Sequence, residues 1–91
     1  MTEVQQETVH FSGRVQGVGF RYTVLQLAKE FEVTGYVKNI SDGRVLLEME
    51  GTLAEITAYL DAIEEQMAGY IRLTERASTR GISRFTTFEI R

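Results

Sequence analysis

Hydrophobic and polar residues alternate from Thr8 to Ser12, with Val9 and Phe11 on one side and Thr8, His10 and Ser12 on the other. That period of two predicts a half-buried strand. The period then changes. Phe20, Val24, Leu27, Ala28 and Phe31 recur on one face of a helix, predicted over residues 20–32. "GYVKNISDGRVLLEME" reads as a hairpin turning at Asp42-Gly43, with Val45, Leu47 and Met49 on one face and Leu46, Glu48 and Glu50 on the other. In "GTLAEITAYLDAIEEQM", Thr52 and Glu55 have the spacing of a capping box. Leu53, Ile56, Leu60, Ile63 and Met67 form the apolar stripe of a second helix behind it. Two shorter strands are predicted over 70–76 and 85–91, separated by the polar loop "ASTRGIS".

Two amphipathic helices must bury their stripes, and one face of a sheet is their natural partner. The order of elements predicts an α+β fold, a ferredoxin-like βαββαβ sandwich with an antiparallel sheet and two helices on one face. At 91 residues the chain fits a single domain over 1–91, with residues 1–6 expected to be a flexible N-terminal segment. This fold hosts many unrelated functions, so the chemistry must come from particular residues.

Composition removes several classes. With no cysteine there is neither a disulfide nor a thiol nucleophile, and one histidine, His10, excludes a histidine metal cluster; no metal and no cofactor are expected. No apolar run approaches the roughly 18 residues of a membrane span. The opening "MTEVQQETVH" lacks the basic and apolar regions of a secretion signal, so a cytoplasmic protein with no membrane partner is expected. The net charge of −3 argues against nucleic-acid binding. The open sheet face, read as His10, Glu48 and Glu50, also argues against it.

The distribution of charge is more informative than its total. From Thr8 to Lys29 there is no Asp or Glu, while Arg14, Arg21 and Lys29 are present. At the centre of this window "SGRVQGVGFRYT" joins the first strand to the first helix. A loop ending at a helix N-terminus presents unpaired N–H groups and the positive end of the helix dipole. Gly17 and Gly19 allow positive φ, so successive N–H groups can converge into an anion-binding nest. Arg21 adds a planar fork of donors suited to a phosphate. The stretch matches neither G-x-G-x-x-G nor a P-loop, so pattern alone leaves both a phosphate cradle and a plain glycine-rich turn open. Asn39 shares the parity of Val37 and so faces the helices near a strand end, either capping a loop or holding a water or ligand beside the cradle.

Together, "GRVQGVGFR" and the following "GYVKN...DGRV" closely resemble the acylphosphatases, over nearly the whole chain in length and element order. The resemblance implies a small cytoplasmic hydrolase that cleaves the carboxyl–phosphate bond of acyl phosphates. It implies that Val15, Gln16, Gly17, Val18, Gly19 and Phe20 form the phosphate cradle, that Arg21 binds the phosphate, and that Asn39 orients the attacking water. The implied partners are a small acyl phosphate and inorganic phosphate, the latter as product and competitive ligand, with the chain acting as a free-standing monomer. One departure stands out: Gly69-Tyr70 replaces the Gly-Pro common in the family. Arg14 and Lys38 are read as strengthening the local positive field, and Arg72, Arg76, Arg80 and Arg84 as a solvated surface. The alternative function is a module that binds phosphate or an acyl phosphate without turnover.

Overall fold

Val9 and Phe11 on β1 (Glu3–Gly13), Val37 on β2 (Val33–Asn39), and Val45, Leu47 and Met49 on β3 (Val45–Gly51) are all fully buried on one sheet face. The computed structural model describes residues 3–91. Against that face pack α1 (Phe20–Ala28) and α2 (Leu53–Gln66), through Phe20, Val24 and Ala28 of the first and Ile56, Tyr59, Leu60 and Ile63 of the second. The Val, Leu, Ile and Phe side chains among these stabilise by about 1.5–3 kcal/mol each when buried. The Tyr59 hydroxyl donates to the Val24 carbonyl at 2.7 Å and ties the two helices together. Burial pushes its phenol far above the ordinary range.

The sheet is completed by β4 (Ile71–Ile82) and β5 (Phe88–Ile90), in the order β4-β1-β3-β2-β5. The fold is the ferredoxin-like α+β arrangement expected, with several corrections. The sheet is mixed, because β5 pairs parallel to β2, Gly35 opposite Phe88 and Val37 opposite Ile90. "ASTRGIS" is largely strand: β4 runs through it to Ile82, paired to β1. Polar side chains are no obstacle there, since β4 is an edge strand held by backbone hydrogen bonds. The same pairing draws residues 3–6, expected to be flexible, into β1, with Glu3 opposite Ile82. Positions 1 and 2 of that segment lie outside the described residues. The first helix stops at Ala28, and residues 29–32 continue as turns with bonds such as Glu30 N–H to Leu27 O at 3.0 Å. At α2, Thr52 Oγ1 accepts from Glu55 N at 3.2 Å, whereas the Glu55 carboxylate accepts from Glu32 N at 2.7 Å. The capping box is thus half made, and its second half secures the turn before β2.

Two carboxylates are buried. Glu7, on the core side of β1, is bonded by Arg76 Nε and Ser78 Oγ, both at 2.6 Å. Glu50, read as part of an open sheet face, is only 2% exposed. The connection from β4 to β5 crosses over it, and its carboxylate accepts from Ser83 Oγ, Arg84 N, Arg84 Nε and Phe85 N at 2.8–3.2 Å. Arg76 and Arg84 therefore neutralise buried carboxylates and are not merely solvated. The outer face also carries Tyr36, whose hydroxyl donates to Glu48 at 2.7 Å and whose ring lies beneath the Arg91 guanidinium at 4.3 Å.

Burial acts to raise the pKa of Glu50, but the Arg84 N–H and guanidinium, with the Phe85 N–H and Ser83 hydroxyl, outweigh it and hold the carboxyl below its ordinary range. Its contribution to stability is complete above the ordinary glutamate value of about 4.3 and is lost as the pH falls through the lowered folded value. Glu50→Gln is expected to cost about 1–3 kcal/mol at neutral pH. In urea unfolding the gap to wild type should narrow near pH 3; an equal gap at both pH values would refute the role of the ionised carboxylate.

Candidate functional site

The loop between β1 and α1 is pinned at both ends by apolar side chains. Val15 and Phe20 are each 1% exposed, and the Phe20 ring packs on Phe11 with centroids 5.2 Å apart. Before them, the register of β1 against β4 shifts at Ser12/Gly13, and Arg14 N donates to the Tyr70 carbonyl at 2.9 Å. Between the pins the backbone turns at Gly17 (φ 79°) and Gly19 (φ 76°). No heavy atom lies within 4 Å of where a Cβ would stand on either glycine. The requirement there is conformational, a left-handed backbone, and not one of space.

Gly19 is also the N-cap of α1, and it offers no side-chain oxygen to the helix. The first helical bond runs from Thr23 N to Gly19 O at 3.0 Å. Among the described residues, the consecutive N–H groups from Val15 to Tyr22 therefore have no acceptor within the protein. No acid stands in the first turn of the helix. A Ser or Asp cap would have consumed one of these donors and supplied a competing negative oxygen. Beside this loop lies a hollow of about 190 Å³ lined by Val15, Gly17, Gly19, Phe20, Arg21, Tyr22 and Ile90. Arg21 makes no ion pair among the described residues.

Asn39 is the last residue of β2, on the core-facing side with Val37 and opposite Val45 in register. Its Oδ1 is buried and has no hydrogen-bond partner among the described residues. An unmet buried amide oxygen costs about 1–3 kcal/mol. Of the two readings open from the sequence, the loop cap is not what forms here. The loop that follows closes on itself, with Ile40 N to Arg44 O at 3.0 Å and Gly43 N to Ile40 O at 3.1 Å. The Arg44 N–H, joined by its guanidinium, holds the exposed Asp42 carboxyl below its ordinary range.

Cradle and asparagine strand are joined by Gln16. Its side chain reaches across to the hairpin, and Nε2 donates to Ile40 O and Arg44 O, both at 3.0 Å. Only its backbone N–H remains for the cradle. Of the residues singled out in the sequence, the structure brings together Val15, Gly17, Gly19, Phe20 and Arg21, with Gln16 as the link toward Asn39. Val18 packs part-buried against the core. Arg14 lies over the Tyr70 ring at 5.5 Å from its centroid, and Lys38 over Tyr36 on the outer face at 5.9 Å. Lys38 is thus turned away from the cradle side. Ile90 and Tyr22 complete the hollow without having been singled out. Ile90 gave no signal, because its place depends on the parallel register of β5.

A sequence model of the acylphosphatase family matches residues 7–90. The chain is 36% identical over 85 residues to an acylphosphatase of Bacillus subtilis, covering 89% of this chain and 93% of that protein. It is 33% identical over 81 residues to an acylphosphatase of Methanospirillum hungatei, covering 88% and 89%. The crystal structure of the acylphosphatase from Bacillus subtilis superposes with a TM-score of 0.85 at 30% identity, covering 94% of this chain and 97% of that one.

The left-handed cap makes a testable demand. Gly19→Ala should lower stability by about 1 kcal/mol through backbone strain alone. Gly19→Asn should lose less, because asparagine tolerates that conformation better. Chemical unfolding of the two variants checks the order; equal stability of Gly19→Ala and wild type would show that the cap does not hold its φ in solution.

Proposed function

The chain belongs to the acylphosphatase family and is a hydrolase of that family; on that premise we propose that its cradle and Arg21 bind the phosphoryl group of an acyl phosphate while Asn39 orients the attacking water. The observation that carries this reading is the pairing of a run of unspent N–H donors with one unspent amide oxygen. Val15, Gln16, Gly17, Val18, Gly19 and Phe20 contribute backbone donors, and Arg21 contributes both its N–H and its guanidinium.

In this mechanism the water oxygen attacks phosphorus in line, its geometry fixed by a hydrogen bond to Asn39 Oδ1. The bond between phosphorus and the acyl oxygen breaks, and its electron pair leaves on the carboxylate. A carboxylate of pKa about 4 needs no general acid at neutral pH. Asparagine cannot take the water's proton near pH 7, so that proton passes to a phosphoryl oxygen. The protein supplies position and charge: preorganised donors neutralise the equatorial oxygens, and the amide restricts the nucleophile. The chain takes no cofactor in this reading, acts as a monomer in the cytoplasm, and is inhibited competitively by its product, inorganic phosphate. Its acid-free window from Thr8 to Lys29 suits the approach of an anion.

Benzoyl phosphate hydrolysis tests the reading. Arg21→Ala should lose both turnover and phosphate inhibition. Asn39→Ala should lose roughly 10²–10³-fold in kcat, the usual effect of removing one positioned group, while inorganic phosphate still inhibits. Full activity in Asn39→Ala would end the water-orienting role. A basic limb near neutrality that vanished with Asn39 would end the substrate-assisted proton transfer. Phosphate binding without any turnover by the wild type would favour a binding module.

A further inference from the structure

Gln16 has two hydrogen bonds that the hairpin does not need. The Ile40 carbonyl already accepts from Gly43 N, and the Arg44 carbonyl already accepts from Ile40 N. Gln16 Nε2 adds a second bond to each, at 3.0 Å, using the second lone pair of each oxygen. Both bonds are exposed, so water would replace them at little cost in stability. Their product is geometry. Ile40 directly follows Asn39, and Gln16 lies between the buried Val15 and the left-handed Gly17. One amide thus fixes the cradle loop to the residue that directly follows the asparagine, across two segments that are far apart in sequence.

We propose that Gln16 is a positioning residue: its side chain touches no substrate and instead sets the distance between the phosphate cradle and the Asn39 amide. The inference rests on the reading of Asn39 given above. In-line attack tolerates little error, and a misplacement of about 1 Å can cost on the order of 10²-fold in rate. Phosphate binding depends on the cradle and Arg21 alone, so it should be insensitive to the tether. A change in the tether therefore acts on kcat and spares the affinity for phosphate.

The test is a double-mutant cycle on the full-length enzyme, with benzoyl phosphate as substrate and inorganic phosphate as inhibitor. Gln16→Met keeps the length of the side chain and removes both donors. It should lower kcat by about 10²-fold. The inhibition constant for phosphate should stay within about twofold of wild type, the tolerance of independent sites. In an Asn39→Ala background the same change should cost nothing further, because there is no longer an amide to position. A full additional loss in that background would overturn the proposal, since Gln16 would then act on the substrate itself. Weakened phosphate inhibition with unchanged kcat would also overturn it, and would return the side chain to the cradle. Should Gln16→Met fail to fold, Gln16→Ala carries the same cycle. Asn39→Ala at full kcat overturns the water-orienting reading whatever Gln16→Met does. An impaired Asn39→Ala beside an unimpaired Gln16→Met overturns only the tether.

Discussion

The docking of one short helix supports everything at the site. A nine-residue helix does not hold its own shape in water, because nucleation is costly and few bonds follow it. α1 exists because Phe20, Val24 and Ala28 are buried against the sheet and because the Tyr59 hydroxyl holds the Val24 carbonyl from the other helix. Arg21 and the last of the free N–H groups stand at the first turn of that helix, so their direction is inherited from its packing. Gly19 makes the same point from the other side. A better cap would have stabilised α1 and consumed a donor, and the chain instead leaves the donors open and relies on packing for stability.

No carboxylate stands in the glycine-rich loop or in the first turn of α1. The carboxylates that the fold buries, Glu7 and Glu50, are satisfied by Arg76 and Ser78 and by the strap over the outer face. Glu50 stands near the end of β3 opposite to the one that faces Asn39 across the β2–β3 pair. Asp42, close to the hairpin turn, spends its carboxylate on Arg44. What remains at the cradle is a field of N–H dipoles and one guanidinium, which suits an anion and disfavours binding of a cation.

Much of this was legible in the sequence, for local reasons. The helix stripes, the Asp42-Gly43 turn and the Thr52 cap depend on neighbours in the chain, and they formed where the pattern put them except at two stripe ends, with Leu53 exposed and Phe31 beyond the end of α1. The left-handed glycine loop running into a helix start was legible because two glycines, an arginine and a helical stripe lie within a few residues. Asn39 was legible because parity alone placed it on the core side of β2. Long-range pairing was not legible. "ASTRGIS" has the composition of a loop, yet it is strand, because β1 offers backbone partners as far back as Glu3. Glu50 alternates as a solvent-facing residue, and only the path of a distant connection buries it. Gln16 gives no sign in sequence that its amide spans to Ile40 and Arg44, since those contacts depend on how two loops approach in space.

The three-residue strand β5 has a consequence for how the molecule comes together. It is drawn from the end of the chain and lies parallel to β2, a pairing between residues from distant parts of the sequence. Contacts of that kind are slow to form, since a long loop must close before any bond compensates for it. Until they form, β2 is an open edge, and open edges are where separate chains join. Docking of β5 covers that edge with a strand of only three residues, while β4 remains the edge on the other side of the sheet. The same event brings Ile90 to the wall of the hollow beside Arg21, so one short pairing both covers β2 and completes that wall.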